Sequence, residues 1–287
     1  MIIDMHTHIF PDKISAAVID KLSRKAKIVA FTNGDLRGLK NSMDAAQIDL
    51  SIVLPVATNT SQVEKINSSA AALNERFGDA GIVSLGCIHP DYTNYREELR
   101  RVKNRGLKGI KIHPVYQDTN LDDIKFLHIL DRAAELDLIV VTHTGLDIGF
   151  PGAVKCSPQM ARHVVDTVGD FKFVLAHMGG WRNWDDVLKL LGDTKVFIDT
   201  AFSTGTIVPR SDCHWEPDDL KLMDAAQFMK FVAVFGADRI LFGTDSPWSS
   251  QKTSLEFIRA LPLNADDKAK ILGGNAQRLL GLTPDKK

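Results

Sequence analysis

Short apolar, β-branched runs alternate along this chain with longer stretches whose apolar residues recur at helical spacing. The runs cover 2–10, 50–55, 81–87, 107–113, 138–143, 171–177, 195–199 and 239–245. Between them the spacing predicts helices over 11–27, 36–48, 61–77, 91–104, 121–136, 158–168, 184–191 and 218–235. A short closing helix is expected over 275–281, with an N-cap-type Asn275 at one end and Gly281 at the other. Strands separated by helical sequence pair in parallel through crossovers. Eight such units predict an α/β fold, a (β/α)8 TIM barrel, as a single domain over 1–287. A doubly wound open sheet is the alternative that the same alternation allows.

Composition narrows the function class. The 44% hydrophobic and 25% charged residues are those of a chain that can bury a large core. Lys+Arg at 35 against Asp+Glu at 36 leaves a charge of -1, so no global field draws the chain to nucleic acid or an anionic membrane. Neither a signal peptide nor a membrane-spanning run is visible. Cys87, Cys156 and Cys213 are widely spaced, which argues against a disulfide framework or thiolate zinc site and suits a reducing cytoplasm. Disorder is expected only at the tail, 284–287.

The chemistry collects where strands end, which in such a barrel is the active-site face. The first run ends in His6-Thr7-His8, the fifth in Thr142-His143-Thr144-Gly145, the sixth in Ala176-His177-Met178-Gly179-Gly180, and the eighth in Gly243-Thr244-Asp245-Ser246-Pro247-Trp248. On a strand His6 and His8 present both rings to one side. Histidine nitrogens with a carboxylate oxygen suit a borderline divalent ion such as Zn²⁺, Mn²⁺ or Fe²⁺. Singly, His143 and His177 read equally as core histidines bonded to carbonyls, and Asp245 as a turn former. Their joint position at strand ends favours the site.

These motifs, with Gly109-Ile110-Lys111-Ile112-His113-Pro114 and 273–280, resemble the amidohydrolase superfamily, specifically amidohydrolase family 2, over almost the whole chain. That branch includes mononuclear metal hydrolases and the aminocarboxymuconate-semialdehyde decarboxylase group. The resemblance implies one divalent metal, zinc first and Mn or Fe as alternatives, on His6, His8, His143 and Asp245. It implies His177 as a catalytic contact to water or substrate oxygen, and Asp245 as both ligand and proton carrier. Lys111 lies near the place where binuclear relatives carry a carboxylated lysine, but the Lys-x-His-Pro pattern is similar to the mononuclear branch.

The leading expectation is hydrolysis of a small amide, ester or lactone by metal-activated water. The alternative is metal-dependent, non-oxidative decarboxylation of an aromatic or unsaturated carboxylic acid; a scaffold that keeps the site without turnover is the third. His113, Trp181, Trp248 and Phe10 are the expected substrate contacts, with Phe202, Arg182 and Arg210 in similar loops. His89, His128 and His163 read as structural or surface residues. Gly179-Gly180 reads either as close backbone approach to the site or as a tight turn. The loop 203–215 is the expected lid, the expected partner is a small molecule, and the resemblance leaves a homodimer open.

Overall fold

The structure is a computed structural model that describes residues 1–282 except 214 and 217; the expected tail disorder lies outside the described residues. Eight parallel strands close a barrel: β1 Ile3–Thr7, β2 Leu50–Val53, β3 Ile82–Ser84 continuing as Gly86–Cys87, β4 Gly109–Ile112, β5 Ile139–Thr142, β6 Phe173–Leu175, β7 Phe197–Asp199 and β8 Ile240–Leu241. Strand β3 is interrupted at Leu85, so its first part pairs with β2 and its second with β4. Closure between β8 and β1 comes from Met5 N–H to Phe242 O (2.9 Å) and Asp245 N–H to His6 O (2.8 Å). The open doubly wound alternative is therefore excluded.

Two apolar layers follow from strand alternation. Ile3, Met5, Ile52, Leu54, Leu85, Ile139, Val141, Val174 and Leu241 fill the barrel interior, with Ala276 and Leu279 among the residues packed beneath. Ile110, Ile112, Val140, Phe173, Leu175 and Ile198 face outward and join the apolar sides of the surrounding helices. A register shift between Asp4 and Thr7 interrupts the β1 ladder. Such irregularities re-aim side chains. Ile3 and Met5 fill the apolar interior, and His6, within the shift, is directed to the polar end.

Helix boundaries depart from expectation where a side chain caps the backbone. The helix expected from 218 begins at Ala225 and runs to Phe235, because Asp224 accepts from Gln227 N–H (2.8 Å). A helix that the apolar spacing did not announce, Gln251–Ala260, is capped by Ser250. Asn275 is not an N-cap. It lies on a continuous turn from Ala265 to Leu280, and its Nδ2 donates to Ala237 O (2.7 Å) and Ile240 O (2.8 Å) beside β8. The suspected lid is strapped down: Val208–Pro209 pairs antiparallel with Ile28–Val29, and Trp215 Nε1 donates to Lys27 O at 2.9 Å.

Asn275→Ala removes both donors from two buried carbonyls, which costs about 2–3 kcal/mol. The urea midpoint checks it; a change below about 0.5 kcal/mol, the scale of a neutral surface substitution, would contradict the role given to Asn275.

Candidate metal centre

Four strand ends place acceptor atoms against one another. His6 Nδ1 lies 2.8 Å from Asp199 Oδ2 and His8 Nδ1 lies 2.9 Å from Leu54 O. Carboxylates and carbonyls only accept, so both rings carry hydrogen on Nδ1 and leave Nε2 a bare lone pair. Those two Nε2 atoms lie 3.3 and 3.0 Å from the same oxygen, Asp245 Oδ1. His177 Nδ1 likewise faces Ala201 O at 2.9 Å, so its Nε2 accepts from His143 Nδ1–H at 3.0 Å, which leaves His143 Nε2 as the bare lone pair. His143 Nε2 is buried without a hydrogen-bond partner, with Asp147 Oδ2 at 3.9 Å.

Electrostatics agree with neutral rings. Burial drives His6, His143 and His177 below the ordinary histidine range. Burial works against ionisation of Asp245, yet positive charge on the side of His8, His6 and His177 holds its carboxyl well below the usual range, a place that a bound cation fills when the rings are neutral. An ionised carboxylate oxygen facing two lone pairs at such distances is repulsive without a cation. The residues thus fit a divalent ion that takes nitrogen and oxygen donors. His6, His8 and Asp245 bring their ligand atoms within 4.8 Å of one another. His143 falls in an adjoining group with His113 and Asp147, and meets the first three through His177.

Supporting carboxylates went unnoticed in the sequence. Asp199 accepts His177 N–H (2.9 Å) and Ala201 N–H (3.1 Å) on Oδ1 while Oδ2 holds His6. Its signal was available, since Asp199 also ends a strand. Asp4 Oδ1 accepts His6 N–H (3.1 Å) and Thr244 N–H (3.0 Å), and Oδ2 accepts Gln251 Nε2 (2.7 Å) and the Thr244 hydroxyl, tying β1 to β8. Asp147, in the loop after β5, sits 3.5 Å from His113 Nε2, and burial pushes its carboxyl up to about 6. No strand pattern marked it. Lys111 is buried on β4 with Nζ 3.4 Å from His6 Nε2; burial pushes it down to about 8, opposed by Asp199 and Asp245.

The backbone is left-handed at His177 (φ 61°), Met178 (φ 54°) and Asp245 (φ 67°), non-glycine residues that hold this conformation only where surroundings impose it. Gly145 (φ 87°) is required: its Cβ would enter the Trp181 backbone, to which its strand end is laddered through Trp181 N–H to Thr144 O. Gly179 is a tight turn whose missing Cβ makes room for Val187, so the reading as backbone approach gives way to packing.

Other expected residues scatter. His113 stacks on His143 (4.2 Å between ring centres, 11°) and on Tyr116 (3.7 Å, 19°). Trp181 is buried with Nε1 unpartnered and its ring 5.5 Å from Phe202, which lies 6.3 Å from His177. Phe10 is half-buried, its N–H on Gly34 O, and Trp248 packs against the outer apolar layer. Arg182 donates to Asp218 O (2.5 Å) and Asp219 O (2.6 Å), while Arg210 pairs with Asp212, so neither is free for a substrate. His89 accepts Asp91 N–H, and His128 and His163 are exposed.

A closed (β/α)8 barrel with converging histidines and a carboxylate at its C-terminal strand ends defines a class of metal-dependent barrel proteins. The family model described as amidohydrolase matches residues 3–282, and the chain belongs to that enzyme family. Comparison with curated proteins returned no match. Among solved structures, 5-carboxyvanillate decarboxylase LigW from Sphingomonas paucimobilis is similar at 18% identity and TM-score 0.68, covering 98% of this chain and 99% of that one. The 2,6-dihydroxybenzoate decarboxylase from Rhizobium is similar at 17% identity and TM-score 0.65, covering 98% of each. Dihydroxybenzoic acid decarboxylase from Polaromonas sp. JS666, with bound manganese and 2-nitroresorcinol, is similar at 16% and TM-score 0.68, covering 98% and 97%.

Asp199→Asn keeps the shape but loses the carboxylate that fixes the His6 tautomer, so metal affinity should fall about 10- to 100-fold. Competition against a chromogenic chelator reads this directly. Unchanged affinity in a folded variant would remove Asp199 from the centre.

Proposed function

We propose that this chain is a metal-dependent, non-oxidative decarboxylase of a planar hydroxyaromatic or unsaturated carboxylic acid. The observation that carries the reading is the ring stack beside the acceptor cluster, in which His113 is sandwiched nearly parallel between His143 and Tyr116. Phe202 and Trp181 add ring faces beyond His177. A planar acid packs against such a set of rings better than a tetrahedral one does. The similar decarboxylases from Sphingomonas, Rhizobium and Polaromonas support it. Hydrolysis of an amide, ester or lactone uses the same residues and ranks second, because nothing in the geometry favours it.

His6, His8, Asp245 and His143 would hold one divalent ion, manganese or zinc, which when bound supplies positive charge for an anionic substrate and for charge that develops in the transition state. The chain's own residues do the rest. His177, its Nδ1–H fixed on Ala201 O, accepts from His143 Nδ1–H on Nε2 and so turns His143 Nε2 toward the metal and the substrate oxygen beside it. The carbon–carboxylate bond breaks, its electron pair stays on the ring carbon, and CO₂ leaves. Asp245 transfers to that carbon one proton taken from solvent, which balances the loss. Trp181 and Phe202, both buried, exclude water from the opposite side. His113 and Tyr116 set the plane of the ring, and Trp248 and Phe10 border the face more distantly.

Manganese-loaded protein tested on a panel of hydroxybenzoates should release one CO₂ per acid consumed. Asp245→Asn should lower that rate about 100- to 10,000-fold with the fold intact. Cleavage of lactones or esters with no CO₂ from any acid would replace this reading by hydrolysis.

A further inference from the structure

We infer that Lys111 is the receptor for the substrate's carboxylate, the residue that makes the centre prefer an acid over a neutral ring. The choice of an aromatic acid as ligand rests on the decarboxylase reading; the anion site itself rests on the following geometry. Lys111 lies on β4 between Ile110 and Ile112, which pack outward against the helices, so its own side chain enters the barrel. It is 1% exposed, the largest fully buried side chain of the described residues. A buried ammonium is costly unless an anion or several acceptors satisfy it. Among the described residues no carboxylate lies within 4.0 Å of Nζ, and its one recorded hydrogen-bond partner is His6 Nε2 at 3.4 Å.

That partner is already committed. His6 Nδ1–H is fixed on Asp199, which leaves Nε2 as the lone pair directed at Asp245 and assigned to the metal. With this lone pair engaged, Nζ has three hydrogens, no acceptor among the described protein atoms, and a cation nearby. A bound anion relieves both faults: one carboxylate oxygen accepts from Nζ, and its charge offsets the repulsion. Arg182 and Arg210, the other cations expected to serve this purpose, are turned elsewhere, Arg182 donating to the backbone carbonyls of Asp218 and Asp219 and Arg210 pairing with Asp212. Lys111 is therefore the cation that faces the centre from within the barrel, beside the ring stack of His113, His143 and Tyr116. A substrate packed against that stack would direct its carboxylate toward Nζ.

Calorimetry on the manganese-loaded chain with 2-hydroxybenzoate and its neutral amide, 2-hydroxybenzamide, tests the assignment. The wild type should bind the acid about 10- to 100-fold more tightly than the amide, the worth of one hydrogen bond between charged groups. Lys111→Met should lose that preference through weaker acid binding, leaving amide affinity and metal content unchanged. Retained preference in the folded variant overturns the proposal. So does a wild-type mass raised by one CO₂ on Lys111 together with two metal ions per chain, which would make the residue a bridging ligand. Should Lys111→Met fail to fold, Lys111→Gln replaces it, and a wild type that binds acid no better than amide overturns the proposal by itself. Acid preference without CO₂ release leaves Lys111 in place and removes the decarboxylase reading. CO₂ release with preference intact in the variant does the reverse.

Discussion

Two imidazole lone pairs aimed at one ionised carboxylate oxygen at 3.0 and 3.3 Å form the constraint on which the rest of this molecule turns. Such a convergence does not assemble by attraction among its members. It is held from behind by groups that fix each ring by its other nitrogen: Asp199 for His6, Leu54 O for His8 and Ala201 O for His177. Asp4, with its four hydrogen bonds, ties the His6 backbone to Thr244 and so sets the distance between the first and last strands. Burial raises the Asp4 carboxyl to about 7, but four donors stabilise the charged form and work against that rise.

The barrel separates these demands along its axis. Its lower interior is apolar, from Ile3 and Met5 to Leu241, with Leu279 beneath, and provides the stability that the polar end lacks. At the upper end left-handed turns at His177, Met178 and Asp245 aim side chains inward at a conformational cost, which the ladder around them sustains. Lys111 and Asp199 stand at the boundary, fully buried yet ionisable. A site of this kind is rigid because His6, His8 and His177 each have a partner outside the centre, a property more useful to positioning than to folding.

The same constellation serves attack by water or loss of CO₂, and membership of the amidohydrolase family does not separate them. What separates them is shape and charge beside the centre. Stacked rings at His143, His113 and Tyr116 suit a planar ligand, and a buried lysine without an ion-pair partner among the described residues suits an acid. The ring stack joins residues that follow different strands, so no single motif announces it.

The fold was largely legible because period-two apolar runs and helical spacing are local properties, repeated eight times, and barrel closure follows from that count. His6, His8, His143, His177 and Asp245 were legible for a related reason: strand ends converge in such a barrel. The sequence by itself thus determined the architecture and which strand ends carry histidine and Asp245 to one face. It did not determine how they meet. Asp147 lies in a loop, Asp199 looked like an ordinary strand terminus, and Asn275 looked like a cap until its amide reached Ala237 and Ile240. Which nitrogen of each histidine is bare, and which cation is left without a counter-ion, depend on partners as far apart in the chain as His6 and Asp199, 193 residues. Such pairings have no local period to betray them, so only the tertiary structure decided them.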